Sequence, residues 1–214
     1  MVSITPTVGF DLDMTLIDSR PGIHAAYREL SAATGVHIDA DLAVSRLGPP
    51  LEHELAHWFP AGEVPVVADR YRELYVEHAI EPTFALPGAR EAIAAVQGHG
   101  GRAVVVTAKH GVNAKLHLDH LGLAADALIG SLWAEAKGEA LREHGAQVYV
   151  GDHVADVRGA RAAGALALAV PTGPCDAAEL RAAGADVVLR DLTELPRWLD
   201  GWLAAGGPAG AGAA

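Results

Sequence analysis

Two aspartates, Asp11 and Asp13, stand two residues apart where an apolar run (Val8, Gly9, Phe10) gives way to Leu12, Met14 and Thr15. The stretch 7–18, TVGFDLDMTLID, has the pattern of a buried parallel strand that releases its charged residues at its carboxyl end. In an open α/β sheet, ligands bind at that end. One carboxylate of such a pair can attack as a nucleophile while the other gives and takes protons. Together they can hold a hard, oxygen-seeking cation such as Mg²⁺. A D-x-D-x-T match alone is a weak signal, because the same residues also cap ordinary turns.

Three further residues strengthen it. Thr107 ends the apolar run RAVVVT, Asp152 follows QVYVG, and Lys137 starts the helix between them. A parallel sheet brings all its strand ends to one edge, so these groups can converge with Asp11. The chemistry they fit is phosphoryl transfer, which depends mainly on positioning and on stabilising charge spread over the phosphoryl oxygens. Thr107 and Lys137 can hold those oxygens, and Asp11 and Asp152 can hold Mg²⁺. Asp11 can attack phosphorus, and Asp13 can protonate the leaving alkoxide.

The elements that must position these groups read as alternating strands and helices. Strands are expected at 7–11, 102–107, 127–130, 147–151, 165–170 and 187–189, with helices at 89–97, 112–121, 135–144, 154–163, 177–183 and 193–202. That alternation predicts an α/β fold with a Rossmann-like, doubly wound parallel sheet. Between the first strand and Pro82 the pattern is helical throughout, with helices expected at 21–35, 39–46 (capped by Asp39 or Asp41), 51–59 and 64–79. About sixty residues far exceed an ordinary βα connection of a few residues. The expected organisation is therefore a catalytic core over 1–18 and 84–205, an inserted helical cap over 19–83, and a Gly/Ala-rich flexible tail over 206–214.

Composition narrows the partners. The 214 residues carry a net charge of −11, which disfavours nucleic acid, whose phosphates call for a basic footprint. A phosphorylated small molecule remains compatible, since bound Mg²⁺ supplies local positive charge. A single cysteine, Cys175, fits a reducing compartment. With no signal-peptide pattern and no apolar run near the ~20 residues of a membrane span, a cytoplasmic protein without membrane contacts is expected, as monomer or homodimer. His53 and His57 lie four apart without an evident third ligand, and His117 and His120 read as surface residues. Tyr27, Trp58, Phe59, Tyr71 and Tyr75 read as the core of the helical segment. Arg46, Gly48 and Pro49 fall where a loop could face the site.

Taken together, the chain resembles the haloacid dehalogenase superfamily, and within it the phosphatases with a small helical cap, closest in pattern to phosphoglycolate phosphatase-like members. The motifs are D11-L-D-M-T15 followed by L-I-D-S, then Thr107 after AVVV, Lys137 in EAKGEAL, and G151-D-H-V-A-D156 continuing to A163-G164. The resemblance implies a Mg²⁺-dependent hydrolase of small phosphomonoesters acting through an aspartyl-phosphate on Asp11. It implies Asp13 as general acid/base and, through its backbone carbonyl, as a metal ligand alongside Asp11 and Asp152. Thr107, Ala108 and Lys137 are the implied substrate-binding positions, and Asp156 supports Lys137 or the metal from just outside. Four positions depart from the pattern: Met14 replaces a usual Gly, Ala108 a common Asn, Gly138 a frequent Pro, and His153 a small residue. An aspartate at 13 disfavours dehalogenation. Two alternatives stand beside the phosphatase reading: a phosphosugar mutase of the same fold, and a non-catalytic phosphometabolite-binding regulator.

Overall fold

The computed structural model describes residues 5–207. In chain order the first elements are β1 (Thr7–Phe10), β2 (Ile17–Asp18), α1 (Arg20–Thr34), α2 (Ala40–Ser45), α3 (Leu51–Leu55), α4 (Val64–His78), β3 (Phe84–Ala85), α5 (Ala89–Gly98) and β4 (Arg102–Val106). Then follow α6 (Gly111–Leu121), β5 (Ala127–Ile129), α7 (Lys137–Glu143), β6 (Val148–Gly151), α8 (Val154–Ala163), β7 (Leu166–Ala169), α9 (Ala177–Ala182), β8 (Val187–Val188) and α10 (Leu195–Ala204). Short 3-10 turns precede α7 and α10.

Among the described residues, six strands form one parallel sheet in the order β5-β4-β1-β6-β7-β8. The chain first builds outward from β1 on one side, through β4 and β5. It then crosses back to lay β6, β7 and β8 on the other. The strand order therefore reverses beside β1, and such a switch point opens a crevice at the strand carboxyl ends. The strands are apolar because both faces are covered. Phe10, Val105, Val148 and Val150 pack beneath α5 and α10, while Val104, Val106, Tyr149 and Ala167 pack beneath α7 and α8.

The helical stretch between β2 and β3 has an apolar cluster of its own. Tyr27 and Leu30 of α1, Leu55 of α3, and Ala68, Tyr71 and Tyr75 of α4 are buried together, and none of them belongs to either cluster under the sheet. The α1–α4 contact is close enough to require Gly22, where a Cβ would lie 2.1 Å from the Ala79 carbonyl oxygen. The stretch leaves and rejoins the sheet layer through a two-stranded antiparallel ribbon, with Ile17 opposite Ala85 and Asp18 opposite Phe84. That ribbon has too few residues to show a period, so it left no signature in the sequence.

The expected architecture is therefore present, with local differences. The first strand ends at Phe10 and leaves Asp11 just beyond it. The helix expected over 51–59 stops at Leu55, and turns follow. Asp39, rather than Asp41, caps α2, accepting from the Leu42 N–H at 2.9 Å. The tail expected over 206–214 falls, from residue 208, outside the described residues. No helix among the described residues is long and apolar enough to cross a membrane.

Candidate active site

The loop after β1 carries the first motif. Asp11 is held at the strand end by its backbone N–H, which donates to the Val150 carbonyl at 2.8 Å. The chain then turns tightly, with the N–H groups of Leu16 and Ile17 both donating to the Leu12 carbonyl at 2.9 and 3.1 Å. Within this turn Met14 has φ +61°, a left-handed conformation that glycine adopts freely and other residues adopt at a cost. The usual glycine at this position thus has a backbone reason, and this chain meets the requirement with a buried methionine. The Thr172 hydroxyl donates to the Met14 carbonyl at 2.5 Å and pins the turn.

Lys137 is the hub behind the loop. It is fully buried, and its Nζ lies 2.7 Å from Asp156 Oδ1, 2.9 Å from the Tyr149 hydroxyl and 3.0 Å from Asp11 Oδ1. Burial opposes its charge, but Asp11 and Asp156 more than offset that and raise its pKa. Asp156 also accepts from the His153 N–H at 3.1 Å, while His153 Nδ1 accepts from the Ala155 N–H at 3.0 Å. This reciprocal cap starts α8 and fixes the Asp156 carboxylate. The backbone comes very close at Gly151, where a Cβ would lie 2.3 Å from that of Asp156.

Asp13 sits in a separate network. Its Oδ1 accepts from the Ser19 hydroxyl at 2.5 Å and pairs with Lys109 Nζ at 2.9 Å. Burial acts to raise the Asp13 pKa, but Lys109 and Ser19 outweigh it and hold the carboxyl below its ordinary value. Lys109 Nζ also donates to the Tyr75 hydroxyl at 2.8 Å, and that oxygen lies 2.8 Å from His117 Nε2. His117, expected on the surface, is buried; burial first and the Lys109 charge second push its pKa down to about 3. Tyr75 comes from α4 and Lys109 follows β4, so this network joins the helical stretch to the sheet edge. Sequence reasoning missed Lys109 as a site neighbour, and it gave Thr15 and Ser19, although inside the first motif, no role of their own. The position of Lys109, two residues after Thr107, was the available signal.

Asp152 completes the acidic group. Its Oδ1 accepts from the Thr15 hydroxyl at 2.8 Å. One oxygen each from Asp11, Asp152 and Asp156 lie within 4.8 Å of one another. Burial pushes the Asp11 carboxyl up to about 7 and Asp152 well above its ordinary value; neighbouring carboxylates push the same way, and Lys137 opposes them. Three crowded acidic groups with one ammonium among them call for more positive charge. An all-oxygen donor set of this kind suits a hard divalent cation such as Mg²⁺. The residues present thus fit the metal that the resemblance implies.

A cavity of about 400 Å³ opens over this arrangement. Asp11, Asp13, Thr107, Ala108 and Asp152 form its floor, and residues of the helical stretch form its roof, including Arg46 and Gly48. Thr107 is buried, and its hydroxyl accepts from the Lys109 N–H at 3.2 Å. Lys137 stands behind the floor and touches it through Asp11, and Asp156 stands behind Lys137. The structure therefore brings together all the residues singled out in the four motifs. His53 and His57 line the roof, outside the acidic group. Tyr27, Tyr71 and Tyr75 are core of the helical stretch as expected, and they also face the cavity. Trp198 and Trp202 stack 5.8 Å apart and pack against the sheet-side cluster.

Comparison with known proteins agrees with this geometry. The family model described as haloacid dehalogenase-like hydrolase matches residues 8–161. A phosphoglycolate phosphatase of Chromobacterium violaceum is 32% identical over 211 residues, covering 88% of this chain and 93% of its own. A haloacid dehalogenase-like hydrolase of Streptococcus pneumoniae superposes with a TM-score of 0.79 at 26% identity, over 93% of this chain and 100% of the other. A Thermotoga maritima protein described as a candidate β-phosphoglucomutase shares the fold, with a TM-score of 0.70 at 21% identity over 92% of this chain and 99% of its own. With three motifs meeting on one cavity floor, Lys137 of the fourth buried against it, and a family match across most of its length, this chain belongs to the haloacid dehalogenase-like hydrolases.

Proposed function

We propose that the protein is a Mg²⁺-dependent phosphatase of small phosphomonoesters. The observation that carries this reading is the convergence of Asp11, Asp13, Thr107 and Asp152 on the floor of one roofed cavity, with Lys137 buried against Asp11. The phosphatase names of similar proteins point the same way.

In this reading Asp11 attacks phosphorus and forms an aspartyl-phosphate, which water then hydrolyses. Lys137 orients the Asp11 carboxylate from behind the floor and supplies positive charge there, while Thr107 faces the phosphoryl oxygens as their charge shifts. Asp13 protonates the leaving alkoxide and later takes a proton from the attacking water. Lys109 and Ser19 favour its ionised form, the form needed for the second task. The phosphate dianion arriving beside Asp13 opposes Lys109 and favours the protonated form needed for the first. Asp11, Asp152 and the Asp13 carbonyl would hold Mg²⁺. When bound, the ion supplies positive charge against the phosphoryl oxygens. Residues 19–83 act as the cap, excluding bulk water from the cavity.

The test is phosphate release from a panel of phosphomonoesters, with Mg²⁺ and with chelator, by wild type and Asp11→Asn. Metal-dependent release by wild type alone is expected. Equal inactivity of both proteins on every ester would remove the reading. For the mutase alternative, a second phosphate would need free cations in the cavity, and among the described residues Arg46, Arg72 and Lys109 each already pair with a carboxylate.

A further inference from the structure

Resting on the phosphatase reading, we propose that the preferred substrate is the phosphomonoester of a neutral alcohol with apolar, ring-sized bulk. Phosphoglycolate and other esters with a second anionic group are then poor substrates.

Among the described residues the permanently charged cations lining the cavity are Arg46, Arg72 and Lys109, and His53, His57, His110 and His153 line it as well. Lys109 is taken by Asp13 on the floor. In the roof, Arg46 grips Glu54 through two hydrogen bonds, Nε to Oε2 at 3.0 Å and a terminal nitrogen to Oε1 at 2.5 Å. The Trp58 indole N–H donates to the same carboxylate at 2.9 Å, and the Arg46 guanidinium lies 5.8 Å from the Trp58 ring centre. Glu54 is largely buried, at 12% exposure. Were Arg46 to swing toward a substrate carboxylate, it would strand Glu54 with only the indole N–H, and an unpaired buried charge is costly. Arg72 pairs with Glu52 and with Asp69, the latter at 2.9 Å. Its Nε is buried without a partner, a donor that a hydroxyl or carbonyl oxygen of a neutral substrate can satisfy.

Glu52 and Glu54 themselves line the cavity. The two roof cations thus meet two roof carboxylates, and a second anionic group on the substrate would find no unmatched charge there. The positive charge needed for phosphate is concentrated at the floor, where Lys137 and a bound Mg²⁺ act.

Size and surface argue in the same direction. Much of the remaining roof is apolar or aromatic, with Ile23, Leu47, Leu51, Tyr27 and Tyr71 among its lining residues. A cavity of 400 Å³ lies within the roughly 300–1,000 Å³ that encloses a drug-sized ligand. A two-carbon acid leaves most of this apolar wall uncovered, whereas a ring covers it.

The experiment uses matched esters on the Mg²⁺-loaded protein. Ethyl phosphate keeps the two-carbon skeleton of phosphoglycolate with a methyl in place of its carboxylate, and 2-phenylethyl phosphate adds a ring. Ethyl phosphate is expected to exceed phosphoglycolate in kcat/KM by about tenfold or more, and 2-phenylethyl phosphate to exceed ethyl phosphate by a similar factor. Glu54→Gln frees the Arg46 charge and is expected to raise the ratio of phosphoglycolate to ethyl phosphate at least fivefold. A wild type that prefers phosphoglycolate overturns the inference and leaves the phosphatase reading standing. So does a ratio unmoved in Glu54→Gln. Phosphate release from none of the three esters while other esters of the panel are hydrolysed overturns the inference alone, and inactivity across the whole panel removes the phosphatase reading with it.

Discussion

Replacing Lys137 with methionine tests the electrostatic hub behind the nucleophile. Methionine keeps an unbranched side chain and removes the ammonium that contacts Asp11, Asp156 and Tyr149 at 2.7–3.0 Å. Breaking a buried ion pair from one side costs about 3–5 kcal/mol, mostly because the partner charge remains buried and unpaired. Part of that cost is relieved here. Burial already pushes the Asp11 carboxyl up to about 7, so it can shed its charge by taking a proton once the ammonium is gone. Asp156, only 3% exposed, bears most of the remainder. A loss near the lower bound, about 3 kcal/mol, is the expected result. In a chain of this size that corresponds to a fall in Tm of about 6–12 °C. Denaturant titration in chelator, followed by tryptophan fluorescence, measures it. Adding Asp156→Asn to Lys137→Met should cost less than the two changes taken separately, by at least about 1 kcal/mol, because the stranded carboxylate is removed as well. A Lys137→Met protein within about 0.5 kcal/mol of wild type, or strictly additive changes, would refute the hub.

Three further outcomes follow from the same geometry. Mg²⁺ should raise the Tm of wild type, and raise that of Asp152→Asn much less, because the ion relieves the crowding of Asp11, Asp152 and Asp156; equal shifts in calorimetry would count against the site. His117 has a folded pKa near 3, against an ordinary value of 6.5, so the unfolded chain takes up its proton first as pH falls. Its contribution is present above pH 6.5 and should fall away by about 2.7 kcal/mol on acidification to about pH 4.5, an acid limb that His117→Gln should flatten in denaturant titrations. Gly22→Ala should destabilise by about 1–3 kcal/mol through the clash with the Ala79 carbonyl, visible as a lower urea midpoint.

Much of this was legible in the sequence. The strands that build the sheet are short apolar runs closed by polar residues, and in a parallel sheet that pattern fixes both burial and the edge where Asp11, Thr107 and Asp152 meet. The four motifs marked the residues that do converge. What escaped were partners set by tertiary contact. Lys109 and Tyr75 are 34 residues apart in the chain, and nothing local ties a tyrosine of α4 to the residue two past Thr107. His117 lies between Leu116 and Leu118 on α6, and its burial comes from α4 packing over it. The pairing of Arg46 with Glu54 likewise spans the loop between α2 and α3. The departure at Met14 was visible, but its meaning required the backbone angle.

The two-stranded ribbon of β2 and β3 makes the helical stretch a detachable module. Asp18 and Phe84 are cross-strand partners, so the chain departs and returns at a single point in space although 65 residues intervene. A tight hairpin turn joining those two positions would close the ribbon and leave the sheet's connectivity unchanged. The apolar clusters under the sheet contain no residue from the excised stretch, so they would lose no member. Roofs of other sizes and chemistries could be spliced at the same joint, each selecting a different leaving group and each supplying its own partners for Asp13 and Lys109 where Ser19 and Tyr75 now stand.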